Sequence, residues 1–136
     1  MAESIIVHFR RAVAAEVFSF LSSRCESVPD RTTYFYPTNA TYVLLIAAYP
    51  DFESEYEPEE KARIESLLGG ARPNFSLTIE LRRSKQDAAC DAAADLVDAL
   101  SRSHKIVVDD SYRLWTPDEI AAEGDFLSVY RHGRKA

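Results

Sequence analysis

The chain has 136 residues, 46% of them hydrophobic and 28% charged, with a formal net charge of −6. That is the size and composition of one globular domain able to bury its own core, and the acidic balance argues against nucleic acid or an anionic membrane surface as partner. The longest apolar run, Tyr42 to Tyr49, is eight residues, far short of the about 20 a membrane helix needs, and Met1-Ala2-Glu3-Ser4 lacks the basic n-region of a signal peptide.

Residues 5–10, Ile-Ile-Val-His-Phe-Arg, are apolar and β-branched and predict a central strand. A helix follows over about 11–25, with Val13, Val17, Phe20 and Leu21 spaced i, i+4, i+7, i+8 as one buried face. Pro29 and Asp30 end that segment. Two β-rich runs, 32–36 and 41–49, flank Pro37-Thr38-Asn39-Ala40, a turn signal, and so predict a hairpin. The continuous apolarity of 41–49 predicts a strand with neighbours on both sides and both faces buried.

Pro50 breaks that strand. Residues 51–60, Asp-Phe-Glu-Ser-Glu-Tyr-Glu-Pro-Glu-Glu, carry six acids and no base, equal to the net charge of the whole chain. A short helix is expected from Pro58 to about Leu68. Pro58 suits a first helical position, Glu59 and Glu60 suit the positive end of the dipole, and Gly69-Gly70 close the helix. Ile64, Leu67 and Leu68 are its expected anchors. Phe75–Arg82 alternates with period two, which predicts an amphipathic strand with one wet face. Ser84 is the expected cap of a helix running to about Ser101, with Ala89, Ala93, Leu96, Val97 and Leu100 inward.

Residues 105–109 predict a further strand, Asp109-Asp110-Ser111 a turn, and 112–115 a short partner strand. Thr116-Pro117-Asp118-Glu119 reads as a capping box opening a helix to about Glu123. Phe126, Leu127, Val129 and Tyr130 are expected to dock, and the basic tail, from about 130 to 136, to fray. Two βα units flanking a hairpin match the split β-α-β plan of ferredoxin-like folds. The expectation is thus a single α+β domain over 1–136, ferredoxin-like, with a mainly antiparallel sheet. Two main helices pack on one face and the other face is open. A small inserted helix and a C-terminal helix complete it.

Signatures of chemistry are sparse. The serines sit in no GxSxG-like turn, and Cys25 and Cys90 fall in predicted helices, where they read as reduced, packed thiols. His8, His104 and His132 are scattered, and no Cys/His pair has zinc-finger spacing. The acidic run lacks the Asp-x-Asp-x-Asp-Gly pattern of a calcium loop, and no phosphate loop follows Gly69-Gly70. The reading therefore expects no catalytic residue, no metal and no cofactor. A carboxylate hydrolase using Asp109 or Asp110 is the residual enzyme alternative, and His8 reads as a core or hydrogen-bonded histidine. What remains is an acidic segment interleaved with aromatics: Asp51, Phe52, Glu53, Glu55, Tyr56, Glu57 and Glu59. Acids steer a basic partner, and exposed aromatics supply anchoring contacts.

Over about residues 75–120 the pattern resembles the small acidic immunity proteins of bacterial toxin–immunity and contact-dependent inhibition systems. The stretch consists of Leu77-Thr78-Ile79-Glu80-Leu81-Arg82, an Ala-rich helix over 87–100, Val107-Val108-Asp109-Asp110 and Leu114-Trp115. The resemblance implies a non-catalytic cytoplasmic inhibitor that binds a cognate toxin domain, and it transfers no individual binding residue. The competing expectations are a small ferredoxin-like enzyme or ligand-binding protein using the open sheet face with His8, Glu80 or Asp109, and a homodimeric structural module.

Overall fold

A computed structural model describes residues 3–28, 33–49 and 52–131. It is α+β. Seven strands form one antiparallel sheet: β1 (Glu3–Arg10), β2 (Glu26–Ser27), β3 (Thr33–Tyr36), β4 (Leu44–Ala48), β5 (Phe75–Leu81), β6 (Lys105–Asp109) and β7 (Leu114–Trp115), in the spatial order β2-β3-β4-β5-β1-β6-β7. The helices are α1 (Ala14–Arg24), α2 (Phe52–Glu55), α3 (Pro58–Leu67), α4 (Gln86–Ser103), α5 (Pro117–Glu123) and α6 (Ser128–Arg131).

Alternation along the strands sorts the sheet into two faces. Register pairs Ile5 with Ile79, Val7 with Leu77 and Val108, and Phe9 with Phe75 and Ile106. The same face continues through Leu44 and Ile46 of β4. Against it pack Val17 and Leu21 of α1 and Ala89, Cys90, Ala93, Leu96, Val97 and Leu100 of α4, which with the strand residues form the main core. The alanines let the α4 backbone approach the sheet closely, so Ala93→Leu is expected to overpack by about 1–3 kcal/mol.

The opposite face carries Ile6 and His8 of β1, Ser76 and Thr78 of β5, Leu45 and Ala47 of β4, and Val107 and Asp109 of β6. The expectation of an open face is corrected here. Phe52, Ile64 and Leu68 are buried with Val107 in a second cluster, joined by Tyr56, Leu67 and Leu114. The segment that reads as an acidic loop thus roofs the β1–β6–β7 half of this face. The half around Ile6, Thr78, Leu45 and Ala47 stays half-buried. The same asymmetry corrects β4, which has strands on both sides but only one fully buried face.

Local signals explain the boundaries. Val13, expected in the α1 stripe, is 54% exposed because it is the extended N-cap of the helix. Ser84 does not cap α4: a 3-10 turn at Arg83–Lys85 intervenes, and Lys85 holds the N-cap position. At the end of α3 the Gly69 amide donates to the Ser66 carbonyl and the Gly70 amide to that of Glu65, the bonding of a Schellman cap. Gly69 has φ +84°, so its conformation favours glycine, while a Cβ there would meet only the mobile end of the Arg10 side chain, 2.7 Å from Nη1. The Thr116 capping box forms, with the Thr116 amide donating to Glu119 Oε1 at 2.9 Å. Tyr130 is buried and belongs to α6; it is not part of a frayed tail. Residues 132–136 lie outside the described residues.

Candidate functional site

The acidic segment is amphipathic at helical spacing. Phe52 and Tyr56 stand four residues apart and turn to the same side. Phe52 is 8% exposed. Its ring meets His8 edge-on at 5.4 Å and Tyr56 at 5.3 Å, and Tyr56 in turn meets His8 at 5.3 Å. The two aromatics read from sequence as exposed anchors therefore hold the segment to its own sheet, because burying apolar rings outweighs leaving them wet. Glu55, Glu57, Glu59 and Glu60 remain exposed. Glu60 Oε1 accepts from the Glu57 amide at 2.9 Å, which fixes the start of α3. Asp51 and the side chain of Glu53 lie outside what the structure describes.

Beneath these rings runs a chain of hydrogen bonds joining four elements. Ser76 Oγ lies 2.7 Å from His8 Nδ1, His8 Nε2 lies 2.9 Å from Tyr56 Oη, and Tyr56 Oη donates to Asp109 Oδ2 at 2.6 Å. The order of protons follows from the ionised end. The Asp109 carboxylate only accepts, so Tyr56 spends its one proton there and must accept from His8 Nε2–H. Nδ1 of the neutral ring then accepts from the Ser76 hydroxyl. Burial pushes the His8 pKa down to about 4, which keeps the ring in this neutral form. Burial, the bond to Asp109 and the nearby Tyr49 and Glu60 all push the Tyr56 phenol above its ordinary value. Ser76 is only 4% exposed, so this serine and histidine are sealed from any substrate.

Tyr56 and Asp109 form one wall of a cleft of about 310 Å³ between α3 and the β6–β7 turn, with Glu60, Arg63, Tyr112 and Arg113 around it. Arg113 is held on the far side. Its guanidinium stacks over Trp115 at 3.8 Å, bonds Glu123 at 2.9 and 3.2 Å, and lies 3.3 Å from Glu119.

The chain matches no protein-family model, no curated protein and no solved structure.

The adjacent aspartate has a different task. Asp110, 3% exposed, accepts from the Tyr112 and Arg113 amides through Oδ1 and from Trp115 Nε1 through Oδ2, all at 2.8 Å. Its carbonyl accepts from the Tyr130 hydroxyl. The Val-Asp-Asp…Leu-Trp pattern is thus a turn whose first aspartate faces the cleft and whose second knots the turn to α6. Among the described residues, no three His, Cys, Asp or Glu side chains are grouped to hold a metal ion, and no helix is long and apolar enough to cross a membrane. Cys25 and Cys90 are free thiols. Burial raises the Cys25 pKa to about 11 against the opposing pull of Arg24.

The expected histidine reading and the expected turn at Asp109 are found together in one network. Sequence reasoning had no means to join them. The partners stand 48 to 68 residues apart, and the only local sign is a histidine interrupting an apolar strand.

Proposed function

We propose that this chain is a non-catalytic, protein-binding domain of the immunity type, which neutralises a cognate toxin domain by presenting the acidic ridge α2–α3 to a basic surface. The described part of the ridge comprises Glu55, Glu57 and Glu59, with Phe52 and Tyr56 as the internal clamp that fixes it rather than as contacts with the partner. The observation that carries this reading is the inward docking of those two rings. A run of carboxylates clamped to a sheet is preorganised, so less ordering entropy opposes binding than for a loose loop. Dense like charge repels itself and costs folding stability, so stability does not account for it.

A ferredoxin-like core, extended at both edges, is the architecture in this proposal. It is supported by the order β4-β5-β1-β6 with α1 and α4 on one face. A cytoplasmic setting is supported by the two free thiols. The test is functional. A toxin effector domain, sought among the neighbouring genes, is expressed with and without this chain, and growth is scored. Rescue by the wild type, lost in Glu55→Lys/Glu57→Lys/Glu59→Lys at unchanged circular dichroism, is the expected result. Undiminished rescue by the triple variant rejects the ridge.

One observation favours a second reading, a ligand-binding protein or small enzyme. The Ser76–His8–Tyr56–Asp109 chain ends at the wall of the cleft, where Tyr56 and Asp109 meet solvent. A small-molecule screen read by thermal shift tests it: a hit whose stabilisation disappears in Tyr56→Phe supports this reading, and an empty screen counts against it.

A further inference from the structure

We infer that the cleft between α3 and the β6–β7 turn is a socket for an arginine side chain presented by the basic partner. This inference deepens the proposed function and rests on it.

The size of the cleft sets the class of guest. At about 310 Å³ it lies at the lower end of the roughly 300–1,000 Å³ typical of ligand sites, enough for one long side chain rather than a nucleotide-sized cofactor. The lining sets the chemistry. Tyr56 and Tyr112 offer phenol rings, Glu60 and Asp109 offer carboxylates, and Leu114 offers an apolar surface for a methylene stem. Tyr112 is 54% exposed, with its ring set edge-on to Tyr130 at 6.1 Å.

The charge balance favours a cation despite the two arginines at the rim. Arg113 is committed to Glu119, Glu123 and the Trp115 face, which leaves Arg63 as the cation that Glu60 and Asp109 face within the lining. With those α5 acids included, the surroundings hold the carboxylates of Glu60, Asp109, Glu119 and Glu123 against the guanidiniums of Arg63 and Arg113. The excess is negative.

Acceptor capacity points the same way. A carboxylate offers about four lone-pair sites, two on each oxygen. Asp109 Oδ2 accepts from Tyr56 and Oδ1 from the Ser111 amide at 2.8 Å, which leaves each oxygen one site. Two acceptor sites on one planar group suit the fork of a guanidinium, which also stacks on phenol rings and is more weakly hydrated than an ammonium. The clamp already holds Asp109 in place, so the fork meets a fixed acceptor. Glu60 belongs to both the acidic start of α3 and the cleft wall, which makes the socket continuous with the ridge.

The test uses the whole chain labelled with ¹⁵N, titrated with N-acetyl-arginine amide, the lysine analogue, and the neutral citrulline analogue. Saturable shifts confined to the amides around 56, 60 and 109–114 are expected for arginine, with a Kd on the order of millimolar. Lysine should bind about threefold or more weaker, and citrulline should give no saturable shift. Glu60→Gln, which keeps the Oε1 acceptor for the Glu57 amide, and Asp109→Asn, which keeps an acceptor for Tyr56, should each weaken arginine by about tenfold, the loss of one charge-assisted pair. Unshifted amides elsewhere report that both variants are folded. Absent shifts, equal shifts with citrulline, or insensitivity to both substitutions overturns the socket. The ridge is judged separately: if the Glu55/Glu57/Glu59 triple variant loses rescue while arginine fails to bind the cleft, the ridge stands and the socket falls.

Discussion

Protonating His8 should unlatch the acidic ridge. The ring is fully buried, and its pKa is pushed from 6.5 to about 4. Between those values the unfolded chain binds a proton that the folded chain does not, so stability rises with pH across this window. The stabilisation is complete above about pH 6.5 and is lost as the pH falls toward 4. A gap of about 2.5 pH units at about 1.4 kcal/mol per unit is about 3 kcal/mol. For a urea slope of about 2 kcal/mol/M, the midpoint would fall by about 1.5 M. Surface carboxylates also begin to titrate near pH 4, so the measurement is a difference. Urea curves of the wild type and of His8→Gln, which keeps one donor and one acceptor but has no titrating proton, are compared at pH 7, 6, 5 and 4. The wild type should lose about 3 kcal/mol more than the variant over that range. Equal losses in the two proteins, or a His8 NMR titration centred near 6.5, would falsify the account of the buried neutral ring.

Tyr56→Phe keeps the ring but removes the hydroxyl between His8 and Asp109. It leaves a buried Nε2–H unpaired and should cost about 2–3 kcal/mol, or roughly 10 °C in Tm by calorimetry. Asp110→Ala strands the Tyr112 and Arg113 amides and the Trp115 indole N–H, for an expected loss of about 3–5 kcal/mol in chemical denaturation; a loss under 1 kcal/mol would show that water replaces the carboxylate. Charge reversal at Glu55, Glu57 and Glu59 should slow association with a basic partner and flatten its salt dependence while changing dissociation little, as read by stopped-flow fluorescence. Cys25, held near 11 rather than 9, should be alkylated by iodoacetamide about 100-fold more slowly than a free thiol at pH 8, followed by mass spectrometry.

Periodic segments were the legible part of the fold. The alternation of Phe75–Leu81, the alanine and leucine stripe of α4 and the Thr116 capping box each state one local answer that tertiary structure does not contradict. The two-residue strand β2 was not legible, because Glu26-Ser27 has no β-branched or aromatic residue and pairs only through its backbone with β3. The acidic segment misled for a physical reason: so many carboxylates mark it as solvent-facing, yet a helix needs only one buried residue per turn, and Phe52 and Tyr56 supply it. The site was legible only in pieces. His8 faces away from the main core, Asp109 ends a strand, and Tyr56 sits among acids. Their meeting depends on β1 lying beside β6 and on α2 crossing above both.

The central position of β1 has a consequence for the nascent chain. Its partners on either side, β5 and β6, stand about 70 and 100 residues further along, so at the usual ~5–20 residues per second of synthesis the strand waits roughly 5–20 s for its second neighbour. During that interval an apolar segment is exposed with first both and then one of its hydrogen-bonding edges unsatisfied, the condition under which chains associate wrongly. The buried histidine in its middle, ionised while the strand is unpaired below about pH 6.5 and neutral once it is roofed, acts as a polar gatekeeper in the one state and as a latch in the other.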